Sequence, residues 1–446
     1  MTTEDHSSPA RPVKRPFGFW VCIALVIGNM IGSGFFLMPA TLAPFEWNGV
    51  IGWLVTSLGA LSLAVVFGSL ARVMPRAGGP YAYSRAAFGP FAAFVVAWSY
   101  WMSMWIGNVA IATGVVAPLS TIVPGIAEHS VTWTLAIVWL LTAINCFGAA
   151  TVGRIQLVTT ILKILPLAAV LILAVIVLAQ GGGSEAPPLS AHGLTFSGEL
   201  GIAAAATLTL WSFLGLESAT VPAERVAAPE RNIPRATLVG VLVTGILYTF
   251  VCSAVALLMP AEQIAGSGAP MADFVGRHWG GPAAAVIALF AAIAAFGALN
   301  GWILMQGELP WAMAKDGVFP AWFAKLSRHG TPVRAHVTAS LLVTIVLLLN
   351  SARSMTDLFG FLILLATCAS LVAYLASSLA ALKLKVARSK AAIFMAAALF
   401  SAWAIYGAGR EAVMWGAVLM VSGVPLYFLS RGSSPAVEPA PAGLPE

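Results

Sequence analysis

Gly28-Asn29-Met30-Ile31-Gly32-Ser33-Gly34-Phe35-Phe36 (GNMIGSGFF) lies inside the first apolar segment of a 446-residue chain. That segment, Phe17 to Pro44, carries no formal charge. It exceeds the roughly 20 apolar residues that a helix needs to cross a bilayer. Gly28, Gly32 and Gly34 fall around its middle, where a plain anchor would carry Leu, Ile or Val. Backbone that is not helical at membrane depth survives only where protein buries it or where it lines a polar cavity. N–H groups freed by such a break point along the helix that follows and form a pocket for an anion. The stretch reads as a broken membrane helix with room for a polar guest.

Composition agrees with a membrane class. Apolar residues make up 59% of the chain, charged residues only 9%, and the mean hydropathy is +0.91, far from a soluble profile. Charge-poor stretches recur at about 17–44, 49–71, 86–117, 131–147, 155–179, 200–222, 236–258, 281–307, 335–350, 358–382, 391–406 and 412–429. They predict an all-α integral membrane protein with 12 transmembrane helices. Of the 23 Lys and Arg residues, nineteen fall on one side of these spans. Arg277, Arg353 and Arg410 fall on the other, and Lys163 lies within a span. That is the positive-inside bias, and it puts both termini in the cytoplasm. The net charge of +6 follows from it and implies no nucleic-acid partner.

Other signals are quiet. The basic residues 1–16 lead straight into the first span as a cytoplasmic tail, with no cleavable signal expected. Cys22, Cys146, Cys252 and Cys368 sit in apolar segments at no metal spacing, so neither a metal nor a disulfide framework is expected. No cofactor motif is visible. Residues 432–446, rich in Pro and Ala, read as a disordered tail.

A second anomaly, Leu208–Pro222 (LTLWSFLGLESATVP), places Trp211, Gly215 and Glu217 inside the sixth apolar run. The first break opens span one and the second opens span six. Residues 17–179 and 199–382 therefore read as two five-helix repeats. Five is odd, so the second starts from the opposite face, the signature of an inverted-topology repeat with discontinuous helices 1 and 6. Gly181–Gly193 (GGGSEAPPLSAHG) would link the halves, and residues 391–429 would add helices 11 and 12.

GNMIGSGFFLMPA (28–40), AGGPYAYSRAAFGPF (77–91), MWIGNVA (104–110), LTLWSFLGLESA (208–219), APERNIPRA (228–236) and AKDGVFPAWFAKL (314–326) occur in this order. Together they resemble the amino acid–polyamine–organocation superfamily, most closely its bacterial arginine/agmatine antiporter branch. The resemblance runs from about Phe17 to Leu429. It implies a LeuT-type 5+5 inverted repeat and secondary active transport by alternating access across the bacterial inner membrane. A homodimer enters only through the resemblance.

By the same resemblance, the substrate is an amino acid or amine bound by Ile31, Ser33, Gly34, Asn108, Trp211, Leu214 and Trp302. Ser33 and Gly34 offer backbone N–H groups to its α-carboxylate; the plainer alternative is that these glycines only let helices approach closely. Trp211 becomes a gate over the substrate side chain and Trp302 a pocket wall, each able to attract a cation with its ring face. Ordinary packing is the alternative for both.

Glu217, inside a span, must be paired, protonated or functional. The resemblance sets it with Tyr100 and Tyr374 in an inner, pH-sensing gate; capping of broken backbone is the structural alternative. Glu308, near the inner end of span eight, reads as snorkelling or locally paired.

Lys163 departs from the antiporter branch, which carries a small apolar residue there. Proton-coupled members of the superfamily place a lysine at this point, making it a candidate for proton coupling, against a fixed cation that stabilises neighbouring backbone. Ala366 also stands where the branch has a serine, and Ile111 where it has a methionine. Losing a hydroxyl partner weakens the case for a guanidinium substrate. Antiport of the arginine/agmatine type is the first reading, and proton-coupled symport of neutral amino acids the alternative. No Ser/His/Asp set, metal motif or nucleotide loop points to an enzyme.

Overall fold

The computed structural model describes residues 15–182, 193–196, 198, 200–349 and 355–431, without the side chains of 355–361 and 431. Residues 1–14, most of the expected linker, Arg353 and the tail from 432 lie outside the described residues.

The first apolar segment folds as two helices, α1 (Phe19–Met30) and α2 (Ser33–Leu42). Ile31 and Gly32 between them are extended, at φ −77°, ψ 94° and φ −140°, ψ −159°. A short 3₁₀ turn leads into α3 (Glu46–Val73). Then come α4 (Pro80–Phe88), α5 (Pro90–Ser120), α6 (Ser130–Phe147) and α7 (Ala149–Ala179). The second anomalous segment is helical only over α8 (Ile202–Trp211). It is followed by α9 (Pro229–Leu258), α10 (Ala261–Ala265), α11 (Pro270–Trp279) and α12 (Gly281–Lys315). The chain ends with α13 (Val333–Leu349), α14 (Met355–Lys383), α15 (Ala391–Gly407), α16 (Arg410–Ser422) and α17 (Val424–Arg431). Helices α4, α5, α9 and α11 each start on proline, whose fixed φ and missing N–H suit a first turn.

Among the described residues, nine helical stretches are long and apolar enough to cross a membrane, and α8 and α13 are shorter apolar helices. Phe19–Val73 counts as one of the nine, since α1, α2 and α3 follow without a loop. The third charge-poor stretch, expected at 86–117, divides into α4 and a span that starts at Pro90. The last, expected at 412–429, divides at Gly423, where an added Cβ would run into the Trp98 ring at 2.5 Å.

Water does not drive helix association within lipid, so close packing must. The interfaces use small residues accordingly. A Cβ on Gly52 would meet Ala205 at 2.8 Å, and one on Gly240 would meet Val26 at 2.6 Å. Helix α1 is enclosed by α7, α9 and α12, so its broken end is buried on all sides. Phe17 at its start forms a parallel β-bridge with Val226 through Phe17 N–H to Arg225 O (3.1 Å) and Ala227 N–H to Phe17 O (2.8 Å). That bridge ties the two interrupted segments together at one end of the bundle.

Candidate functional site between two interrupted helices

A helix that stops inside protein leaves carbonyls that need donors. Three of the four terminal carbonyls of α1 have one. Ile27 O accepts from Ile31 N–H at 2.8 Å. Gly28 O accepts from Lys163 Nζ at 2.7 Å, and Asn29 O from Trp302 Nε1 at 3.2 Å. One turn earlier, Ala24 O accepts from Gln156 Nε2 (3.2 Å) and Thr160 Oγ1 (3.1 Å). On the other side of the break, α2 begins at Ser33 with no side-chain cap. Its first N–H groups, at the positive end of a helix, are those that Ser33 and Gly34 were expected to offer.

The second interruption is longer. After Trp211 the backbone runs from 212 to 222 as successive turns rather than a helix. Its bonds span three residues: Leu216 N–H to Phe213 O (3.2 Å), Ser218 N–H to Gly215 O (2.9 Å) and Thr220 N–H to Glu217 O (2.7 Å). Gly215 sits at φ +103°, which only glycine adopts without strain, and a Cβ there would meet Asn29 Cβ at 2.8 Å. The two breaks therefore touch.

Trp211 closes the space between them. Its Nε1 edge covers Gly34, where no Cβ would fit, and its ring tip lies 3.2 Å from a Cβ placed on Gly107. Asn29, Ser33, Gly34, Ile111, Leu214 and Trp302 are among the residues lining a cavity of about 20 Å³. That is room for about one water molecule, so an amino acid enters only when the indole moves. The Ser33 and Ser212 hydroxyls, which belong to lining residues, are buried with no hydrogen-bond partner.

Glu217 is wholly buried, and its carboxylate accepts hydrogen bonds from the hydroxyls of Tyr100 on α5 and Tyr374 on α14. Gly215 N–H donates to Tyr374 Oη at 3.4 Å. The three residues expected as a cluster meet, and they hold the unwound segment to two other helices. Lys163 is also fully buried, with its ammonium on the carbonyl end of α1, where a cation is favoured.

Asn108 and Ile31 lie just outside the enclosed space. Asn108 is buried one turn along α5 from Ile111 and donates from Nδ2 to Gln306 Oε1 at 2.7 Å. Ile31 contributes extended backbone and buries its side chain in the core. Ala366 lies beside the Trp211 seat, 3.7 Å from a Cβ on Gly107.

Glu308 does not snorkel. It is 1% exposed, and its Oε1 accepts from Arg225 Nε and Nη2, each at 2.7 Å. Arg225 Nη2 also donates to Gly330 O at 2.9 Å, so one guanidinium joins the second break, α12 and the loop before α13. Nearby on the same end, Lys315 pairs with Glu224 at 3.0 Å, and Arg85 and Tyr81 of α4 both engage Asp316. Burial and the Asp316 carboxylate hold the Tyr81 phenol above its ordinary range.

Sequence reasoning missed the amides. Asn145 donates to Asn300 Oδ1 (3.3 Å), Asn300 to Gln156 Oε1 (3.3 Å) and Gln156 to Asn29 Oδ1 (3.1 Å). This line of buried side chains leads from α6 to the first break. Its signal was available, since polar amides within charge-poor spans are as informative as acids.

The family model described as amino acid permease matches residues 17–433. The chain is 32% identical over 371 residues to a cadaverine/lysine antiporter of Escherichia coli (strain K12), covering 81% of this chain and 82% of the relative. It is 31% identical over 396 residues to a Bacillus subtilis (strain 168) protein provisionally named an arginine/ornithine antiporter, covering 83% and 84%. With putrescine transporter PotE of Haemophilus influenzae it shares 30% identity over 419 residues, covering 90% and 94%. A permease matched end to end, with two interrupted helices meeting inside a bundle of membrane-length helices, is a transporter and not an enzyme. The chain belongs to the amino acid permease family of the amino acid–polyamine–organocation superfamily.

Proposed function

We propose that this protein exchanges a cationic amino acid for an amine by alternating access, with arginine/agmatine exchange as the first candidate. The observation that carries the proposal is the meeting of the two breaks under Trp211. An uncapped helix start, two unpartnered hydroxyls and an indole face offer one site for a carboxylate and a cationic chain. Named relatives that carry lysine and cadaverine, or putrescine, support a basic amino acid or amine cargo.

In this reading the chain forms twelve spans in a bacterial inner membrane, with a LeuT-type inverted repeat and both termini cytoplasmic. The Ser33 and Gly34 N–H groups hold the α-carboxylate. Trp211 closes over the side chain, with Trp302 and Leu214 as walls. The Tyr100–Glu217–Tyr374 cluster is the inner gate and senses pH.

Lys163 and Ala366 favour a second reading, proton-coupled symport of neutral amino acids. A lysine buried at mid-membrane is costly to keep for structure alone. Proteoliposomes separate the two. Exchange requires that radiolabelled arginine enter only when arginine or agmatine is inside. Uptake of a neutral amino acid driven by a pH gradient with empty vesicles would overturn exchange.

A further inference from the structure

At the end of the bundle that holds most of the basic residues, α3 and α9 part around a crevice of about 210 Å³. Gly68 and Pro234 line it where the two helices pack closely, a Cβ on Gly68 standing 3.4 Å from Pro234 Cα. Arg72, one turn beyond Gly68, and Arg235, next to Pro234, both line the crevice. The third wall is the loop after α14, which buries Val386 and sets Ala387 and Lys390 against the crevice. That loop holds Lys385 at φ +54° and Ala387 at φ +49°, left-handed conformations that cost non-glycine residues energy.

Three cations thus converge on one cavity, and no Asp or Glu lines it. Three basic groups at this end are matched, Arg85 with Asp316, Arg225 with Glu308 and Lys315 with Glu224, while others, Lys325 and Arg328 among them, stand apart from this cavity. Among the described residues, Arg72, Arg235 and Lys390 form no ion pair. A general inward bias of positive charge accounts for their side of the membrane. It does not account for their convergence on one cavity.

The apolar surroundings narrow the choice of anion. From the crevice, Leu238, Leu242, Ile246 and Phe250 follow at four-residue spacing along α9, between 44% and 60% exposed. On the facing helix, exposed Leu54 and Leu58 share a face with Val65, which lines the crevice. A cationic pocket at the mouth of a lipid-facing apolar track matches a headgroup joined to acyl chains.

We propose that this crevice binds an anionic phospholipid, its phosphate held by Arg72, Arg235 and Lys390 and its acyl chains laid along α3 and α9. Phosphate is the chemistry recognised, and the apolar track assigns it to a lipid rather than a soluble ester. The orientation proposed above enters only in naming the leaflet as the inner one. Lipid binding is read without transport, so its failure is separate from failure of the exchange reading.

The test uses full-length protein in dodecyl maltoside, titrated with palmitoyl-oleoyl phosphatidylglycerol or phosphatidylcholine, with bound lipid counted by native mass spectrometry. Phosphatidylglycerol is expected to bind more tightly than phosphatidylcholine. Arg72→Gln, Arg235→Gln and Lys390→Gln should each weaken it roughly fivefold, and the triple variant should erase the preference. Lys325→Gln with Arg328→Gln, neutralising two other cations at the same end, should leave it intact. Equal binding of the two lipids, or equal loss in the control, overturns the site. Millimolar glycerol phosphate or inorganic phosphate should not displace the lipid; displacement would make this a soluble-phosphate site and overturn the lipid assignment.

Discussion

The two interruptions do related work with opposite construction. The first is two residues long, and side chains from α7 and α12 hold its carbonyls: Lys163 on Gly28, Trp302 on Asn29, with Gln156 and Thr160 on Ala24. The second runs through eleven residues of loose turns. Tyr100 and Tyr374 tether it at Glu217, Tyr248 donates to Ser212 O (3.1 Å), and Ser218 donates to Leu25 O (3.0 Å). Each break is thus held by four such side-chain bonds, but the first gathers them around a two-residue gap and the second spreads them over eleven residues of turns. The second is more sparsely tethered and is expected to open locally at lower cost. On that expectation the first break is the fixed wall of the site and the second its moving part.

Five substitutions test that contrast, taken from the largest expected effect downward. Gly215→Ala places a side chain at positive φ and against Asn29, a combined cost of about 3–4 kcal/mol. Transport and thermal stability in detergent should both fall sharply, and a variant with normal flux would deny that the two breaks must touch. Lys163→Met leaves Gly28 O buried without its donor, a loss of about 2–3 kcal/mol. The melting temperature should drop. A rise would mean that burying the lysine costs more than its bond returns, leaving coupling as its reason to exist.

Glu217→Gln removes a charge that accepts two phenol hydroxyls, at about 1.5 kcal/mol. Stability should fall modestly and the pH profile of flux should flatten; an unchanged profile removes Glu217 as the sensor. Trp211→Leu should slow exchange about tenfold, equivalent to roughly 1.4 kcal/mol of closed-state contact, and change substrate affinity less. Equal losses in rate and affinity would argue against a gate. Trp302→Phe removes one donor from Asn29 O and should cost about 1 kcal/mol. The fixed wall should absorb this with flux nearly normal.

The sequence shows the first break plainly because three glycines stand in an uncharged run, a local signal. It shows where the second lies but not its length. From Ser212 to Val221 the chain carries one glycine and no proline, so no local signal marks where the break ends. The tyrosines that hold it open come from α5 and α14, more than a hundred residues away on either side. Glu308 failed for the same reason. Its partner Arg225 is 83 residues distant, and a one-dimensional reading gives a lone acid near a span end no means of finding it. Placing Asn108 in the pocket rested on resemblance; its Nδ2 bonds Gln306 Oε1 between α5 and α12, and its Oδ1 is buried with no partner.

The Arg225–Glu308 pair sets a toll on motion at that end of the bundle. Its guanidinium follows the second break in the chain, while its carboxylate belongs to α12. Pulling two such charges apart in a dry interior costs about 3–5 kcal/mol, and water arriving between them lowers that figure. In the proposed exchange, opening of this face is therefore expected to depend on wetting around this ion pair, so that solvent entry as well as helix movement would set the tempo of the cycle.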